Sequence, residues 1–157
     1  PLVSVIMGSQ SDFVIMQKCL AILQQLKIRY ECKIISAHRT PQRLYEYAKN
    51  VESCGVNVII AAAGGAAHLP GMVASLTYVP VIGVPVKSQS LNGIDSLLSI
   101  VQMPRGIPVG TVAIGEAGAV NAALYAAAII SNFDVAVKHN LKQFRQQQTE
   151  SIANVPS

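Results

Sequence analysis

The sequence predicts an α/β fold, a doubly wound parallel sheet with helices on both faces and an added C-terminal helix. Three observations predict it. Five short apolar runs rich in β-branched residues recur along the 157-residue chain. Most of them are continuously apolar, as strands covered on both faces are. Helical patterns fall between them, and that alternation favours right-handed crossovers into one sheet.

The runs occupy residues 2–7, 30–35, 56–62, 80–86 and 108–114. Between the first two, residues 13–27 carry Gln17, Lys18, Gln24 and Gln25 at a seven-residue spacing, which leaves a wide apolar face. Residues 41–54 read as a second helix, with Thr40 as N-cap, Pro41 at the first helical position and Gly55 just past the end. Residues 117–130 are apolar nearly all round, which predicts burial on every side. A polar C-terminal helix frays into a tail at 149–157.

Composition bounds the function. At 51% hydrophobic residues, and with no linker or low-complexity stretch, the chain is expected to form a single catalytic domain over 1–157. Residues 1–7 lack a basic leader, and no apolar run approaches the roughly 20 residues that span a bilayer. Cys19, Cys32 and Cys54 are odd in number, far apart and read as reduced small hydrophobes, so a cytoplasmic location is expected. The net charge of +4 comes from twelve scattered Lys and Arg with no cluster and no Trp, which speaks against nucleic acid and for small anions.

Ligands of doubly wound folds sit at the carboxyl ends of the strands, so the loops there carry the candidates. In "MGSQSD", Gly8 lets the chain turn while Ser9 and Ser11 offer hydroxyls beside free helix N–H groups. Two readings stay open: an anion site, or a helix capped by Ser11 or Asp12. Asp12 would repel a close phosphate, so beside a nucleotide it suits ribose hydroxyls. In "SAHRTP", His38 and Arg39 are either solvated loop residues or an acid/base beside an anion clamp. The glycines of "AAAGGAAHLPG" permit close backbone approach, and His68 faces either solvent or the site. "KSQSLNGIDS" is a polar loop opening a helix, and "IGEAGAVNAA" another glycine-rich passage. No GxxxxGK[ST], HExxH, paired Cys/His spacing or Gly-x-Ser-x-Gly occurs, and His139 is expected to be exposed.

Taken together, "MGSQSD", "SAHRTP", "AGGAAHLPGM", "VIGVPV", "DSLLSIVQMPRGIPVGTVAIG" and "AGAVNAALYAA" closely resemble the N5-carboxyaminoimidazole ribonucleotide mutases, the class I form of the purine-pathway carboxylases. The match runs from about Val3 to Ile130 in order. The resemblance implies a ribonucleotide substrate with a carbamate on its exocyclic nitrogen, whose carboxyl group moves to the neighbouring ring carbon without metal or cofactor. It implies that Ser9 and Arg39 hold the phosphate, that Ser11, Asp12 and Ser36 contact substrate, and that His38 transfers the proton. Gly64, Gly65 and His68 would shape the wall around the base. It further implies a homo-octamer and a functional link to the ATP-dependent synthetase that makes the substrate.

The sequence departs from that family at Phe13, where tryptophan is usual, and at Glu116, where lysine is common. A three-layer flavodoxin-like sheet also fits two rivals. A phosphorylated receiver needs acidic strand ends, but Met7-Gly8 and Ala62-Ala63 stand there; an FMN carrier needs aromatic residues that loops 8–12 and 87–95 lack. Within the family the alternative is direct carboxylation of the unmodified ribonucleotide by carbon dioxide.

Overall fold

The computed structural model describes residues 2–156; Pro1 and Ser157, the ends of the expected domain, lie outside the described residues. Five strands form one all-parallel sheet: β1 (Val3–Met7), β2 (Tyr30–Ile34), β3 (Val58–Gly64), β4 (Val81–Val86) and β5 (Gly110–Thr111). Their order is β2-β1-β3-β4-β5, so the chain leaves β1 toward one edge and then crosses to its other side at β3. Six helices connect and flank them: α1 (Phe13–Gln25), α2 (Pro41–Asn50), α3 (Leu69–Ala74), α4 (Ile94–Val101), α5 (Glu116–Ile130) and α6 (Val135–Ser151). The doubly wound, flavodoxin-like sheet with an extra C-terminal helix is the architecture the sequence predicts.

Alternation along each strand builds two cores. Val5, Met7, Ile60, Ala62 and Val84 pack against α1, α5 and α6, including Met16, Leu23 and Ala123. Their neighbours Ile6, Ile59, Ala61 and Ala63 pack on the other face against Leu44 of α2, Val73 of α3 and Ile100 of α4. Burial on both faces is what the continuous apolar runs require. Phe13, in place of the usual tryptophan, opens α1 and packs partly buried against the first core.

Several expectations need correction. The fifth run yields only Gly110–Thr111 as strand; at its start Pro108 has no N–H to offer a ladder. Past it the chain still holds to β4 through Val112 N–H to Gly83 O, 3.2 Å, and Gly115 N–H to Pro85 O, 2.9 Å. The second helix stops at Asn50, and turns carry the chain to Gly55 at φ +75°. Thr40 is at the N-cap, but its hydroxyl makes no cap bond; it reaches back to Ser36. Of the cysteines only Cys19 is buried, its thiol pushed up to about 12 by desolvation, with a smaller push from Cys32. Cys32 is exposed because β2 is an edge strand, and Cys54 because it lies in the turn after α2.

Helix α5 is covered on most sides within the single chain. Its alanines at 119, 122, 123, 126 and 127 are fully buried, whereas Tyr125 keeps 51% of its surface exposed. His139 is exposed on α6, as expected. No helix among the described residues is long and apolar enough to cross a membrane.

Candidate active site

Because every strand runs the same way, the ends of β1, β2, β3 and β4 open on one edge, and their loops enclose a cavity of about 610 Å³. It lies where β1 separates β2 from β3, the reversal of strand order at which such sheets bind ligands. Ser9, Ser11, Asp12, Ser36, His38, Arg39, Gly64, Gly65 and His68 all line it. Nine residues drawn from three loops therefore meet in one place.

The turn after β2 is built by Ser36 and Thr40. The Ser36 N–H donates to Thr40 Oγ1 at 3.0 Å, and that hydroxyl donates to Ser36 O at 2.8 Å. This closure presents Ala37, His38 and Arg39 on a tight loop, with Pro41 fixing the start of α2. The Ser36 hydroxyl then accepts from Arg39 Nε at 3.0 Å, while Arg39 Nη2 donates to Gly8 O at 3.1 Å. The guanidinium is thus held across the mouth of the β1 loop, with further N–H donors left over.

Facing it, Ser9 Oγ lies 2.6 Å from Ser11 Oγ. Asp12 is buried, and its Oδ2 accepts from the Ser9 N–H at 2.9 Å and the Ser9 hydroxyl at 3.1 Å. Burial pushes the Asp12 carboxyl above its ordinary value, opposed by the Ser9 bonds and the charge of Arg39. Neither Ser11 nor Asp12 caps α1 with its side chain; Ser9 and Asp12 close the turn before it reciprocally, and Ser9 and Ser11 line the cavity.

On the far wall, His38 Nε2 lies 2.8 Å from His68 Nδ1, with the rings edge to face at 80°. His68 immediately precedes α3, so the helix fixes where its ring stands. Gly65 is at φ +68°, a left-handed conformation that favours glycine, and turns the chain over the cavity. His68, left open between solvent and site by the sequence, lines the cavity beside His38.

Sequence reasoning missed Lys87, Ser88 and Gln89, which come directly after β4 and complete the lining. A signal is present, since this is a polar loop at the carboxyl edge, but no residue in it stands out for a role. The loop after β5 contributes nothing to the lining. Among the described residues no three His, Cys, Asp or Glu side chains gather as a possible metal site.

An imidazole pair and an arginine–serine cluster on the carboxyl edge of a doubly wound sheet define a class: flavodoxin-like folds with a candidate anion site at the switch point. Known proteins carry this further. Residues 2–151 match the family model described as AIR carboxylase. A Brucella melitensis protein named N5-carboxyaminoimidazole ribonucleotide mutase is 58% identical over 155 residues, 99% of this chain and 96% of that one. A Dictyostelium discoideum protein named bifunctional purine synthesis protein purC/E is 57% identical over 99% of this chain, which spans 16% of its length. The crystal structure of Treponema denticola PurE superposes with a TM-score of 0.87 at 31% identity, covering 96% and 92% of the two chains. The chain belongs to the AIR carboxylase family.

Proposed function

We propose that the chain is an N5-carboxyaminoimidazole ribonucleotide mutase, an isomerase of purine biosynthesis that moves the carboxyl group from the exocyclic nitrogen to the ring carbon. The observation that carries the residue roles is the placement of His38 and Arg39, adjacent in sequence, in one cavity with different neighbours. His38 meets His68, and Arg39 meets Ser36 and the Ser9 loop.

Arg39 and Ser9 take the phosphate, because the guanidinium supplies charge and paired donors beside the Ser9 and Ser11 hydroxyls that line the cavity. Ser11 completes that end, and Ser36 aims Arg39 through its Nε. The unengaged oxygen of Asp12 takes a ribose hydroxyl. With the phosphate anchored there, the imidazole ring of the substrate extends toward His38, His68 and the Gly64–Gly65 wall. Cleavage of the carbamate N–C bond releases carbon dioxide, and the electron pair stays on nitrogen, which gains a proton. The enamine-like ring carbon attacks the trapped carbon dioxide, then loses its own proton. One proton is gained at nitrogen and one lost from carbon, so a single histidine, His38, can carry both transfers with no net acid or base consumed. Keeping carbon dioxide in place requires a close wall and exclusion of bulk water.

The chain is further read as cofactor-independent, cytoplasmic, a single catalytic unit and a homo-octamer linked functionally to the synthetase supplying its substrate. The exposed Tyr125 on α5 supports assembly, and the bifunctional purine synthesis protein purC/E of Dictyostelium, which carries such a segment in a much longer chain, supports a functional link to another purine-synthesis activity. Against the runner-up, direct carboxylation, stands Arg39-Thr40-Pro41: the resemblance implies that direct carboxylases carry lysine in place of this arginine, and arginine seats a phosphate with two bonds where lysine gives a point charge. Ultraviolet-monitored turnover tests the reading. Efficient conversion of the carbamate-bearing ribonucleotide at ambient carbon dioxide is expected. Faster reaction of the unmodified ribonucleotide at physiological bicarbonate would install the runner-up.

A further inference from the structure

Ser96 lies in the first turn of α4, fully buried and outside the cavity lining, yet it holds the cavity wall. Gly64 and Val86 are the last paired residues of β3 and β4. Beyond them the strands part, and the Ser96 hydroxyl is interposed between the separating chains. It accepts from the Gly65 N–H at 2.9 Å and donates to Val86 O at 2.6 Å. One turn further along α4, Ser99 Oγ donates to Asp95 O at 2.7 Å and contacts Gly65 O at 3.3 Å. The N–H and the C=O of Gly65 are therefore both met by hydroxyls of one helix.

Beyond Gly65 the chain makes a series of tight turns. Ala67 N–H donates to Gly65 O at 2.8 Å, His68 N–H donates to Ala66 O at 2.9 Å, and His68 then meets His38. These local bonds fix the shape of the loop but not its height above the sheet. Ser96 fixes the height, because it ties the start of the loop to β4. The same first turn steadies the next wall, since Asp95 accepts from Ser88 Oγ at 2.5 Å and Ser88 accepts from the Gly93 N–H.

We propose that Ser96 is a positioning residue for carboxyl transfer: its hydroxyl locks the Gly64–Gly65 wall against β4 so that carbon dioxide released from the substrate stays beside the ring carbon. This rests on the mutase reading above. Loss of the bridge leaves the Gly65 N–H and Val86 O without their partner, and the loop must shift to satisfy them. Displacement of a positioned group by about 1 Å can lower a rate on the order of a hundredfold. The phosphate grip, on other loops, is untouched.

Two variants separate hydrogen bonding from packing. Ser96→Ala removes the hydroxyl, and Ser96→Cys fills the space with a group that bonds weakly. In both, kcat is expected to fall about tenfold or more while KM stays within about twofold, a pattern of lost orientation rather than lost binding. Both should also release more free aminoimidazole ribonucleotide per product formed than wild type, counted above spontaneous decay of the substrate. Hydrogen exchange at the Gly65 amide should quicken in both. Full carboxyl retention in Ser96→Cys, or a fall in kcat without added leakage, would overturn the proposal. If the wild-type chain failed to turn over the carbamate, the mutase reading would fall instead. Unchanged Gly65 exchange in both variants would then refute the bridge on its own.

Discussion

His38 and His68 stand thirty positions apart in sequence and 2.8 Å apart through Nε2 and Nδ1. Each ring therefore constrains the other's tautomer: when one nitrogen donates, the other must accept. His38→Asn should abolish turnover, with a loss of roughly a hundredfold or more, while ribonucleotide binding persists. His68→Asn should cost less, about tenfold, and should move the pH profile of kcat because the orienting partner is altered. A His38→Asn enzyme retaining over about a tenth of its activity would remove His38 as the proton carrier.

Arg39 and Ser9 differ in charge, so they should differ in effect. Arg39→Ala should weaken binding of a phosphorylated ribonucleotide by about 1.5 to 3 kcal/mol, and Ser9→Ala by about 1. Titration calorimetry with the nucleotide and its dephosphorylated nucleoside separates the cases. Equal losses on both ligands would place the two residues away from the phosphate.

Asp12 makes a prediction about pH and stability. Burial raises its carboxyl above the ordinary value despite the Ser9 bonds and Arg39. The folded chain thus holds a proton that the unfolded chain has already released, and stability falls as pH rises through the window just above the ordinary aspartate range. Asp12→Asn should abolish that fall and raise the melting temperature at neutral pH, while reducing activity. A lower neutral-pH melting temperature would mean that the Ser9 bonds outweigh desolvation.

Assembly is tested on the apolar surface this chain leaves open. Tyr125 of α5 and Ile94 and Leu98 of α4 are each more than half exposed, large apolar side chains that a neighbouring subunit would cover. Sedimentation at micromolar concentration should show an oligomer, with the octamer as the expected size. A stable monomer would refute it.

The fold was legible because the runs that became β1, β3 and β4 are buried almost throughout, as strands covered on both faces are, and because the second helix carries its own punctuation. Pro41 and Gly55 bracket the second helix, although its last turn unwinds before Gly55. The exposed cysteines escaped the sequence for a physical reason: edge position is decided by strand order, and no local pattern marks β2 as an edge. In the site, charged or glycine-rich residues in an otherwise apolar chain were legible. Lys87, Ser88 and Gln89 were not, because a polar loop at a helix start looks like ordinary capping. Ser96 was illegible too, since its role depends on the separation of β3 from β4 rather than on any neighbour in sequence.

The central claim is that the carboxyl group moves within one bound substrate. The direct measurement is the origin of the product's carboxyl carbon, using ribonucleotide isotopically labelled in the carbamate and an excess of unlabelled bicarbonate. Transfer within one bound substrate predicts that the label is retained in the product's ring carboxylate during initial turnover. A product carrying the bicarbonate's carbon instead would contradict the account.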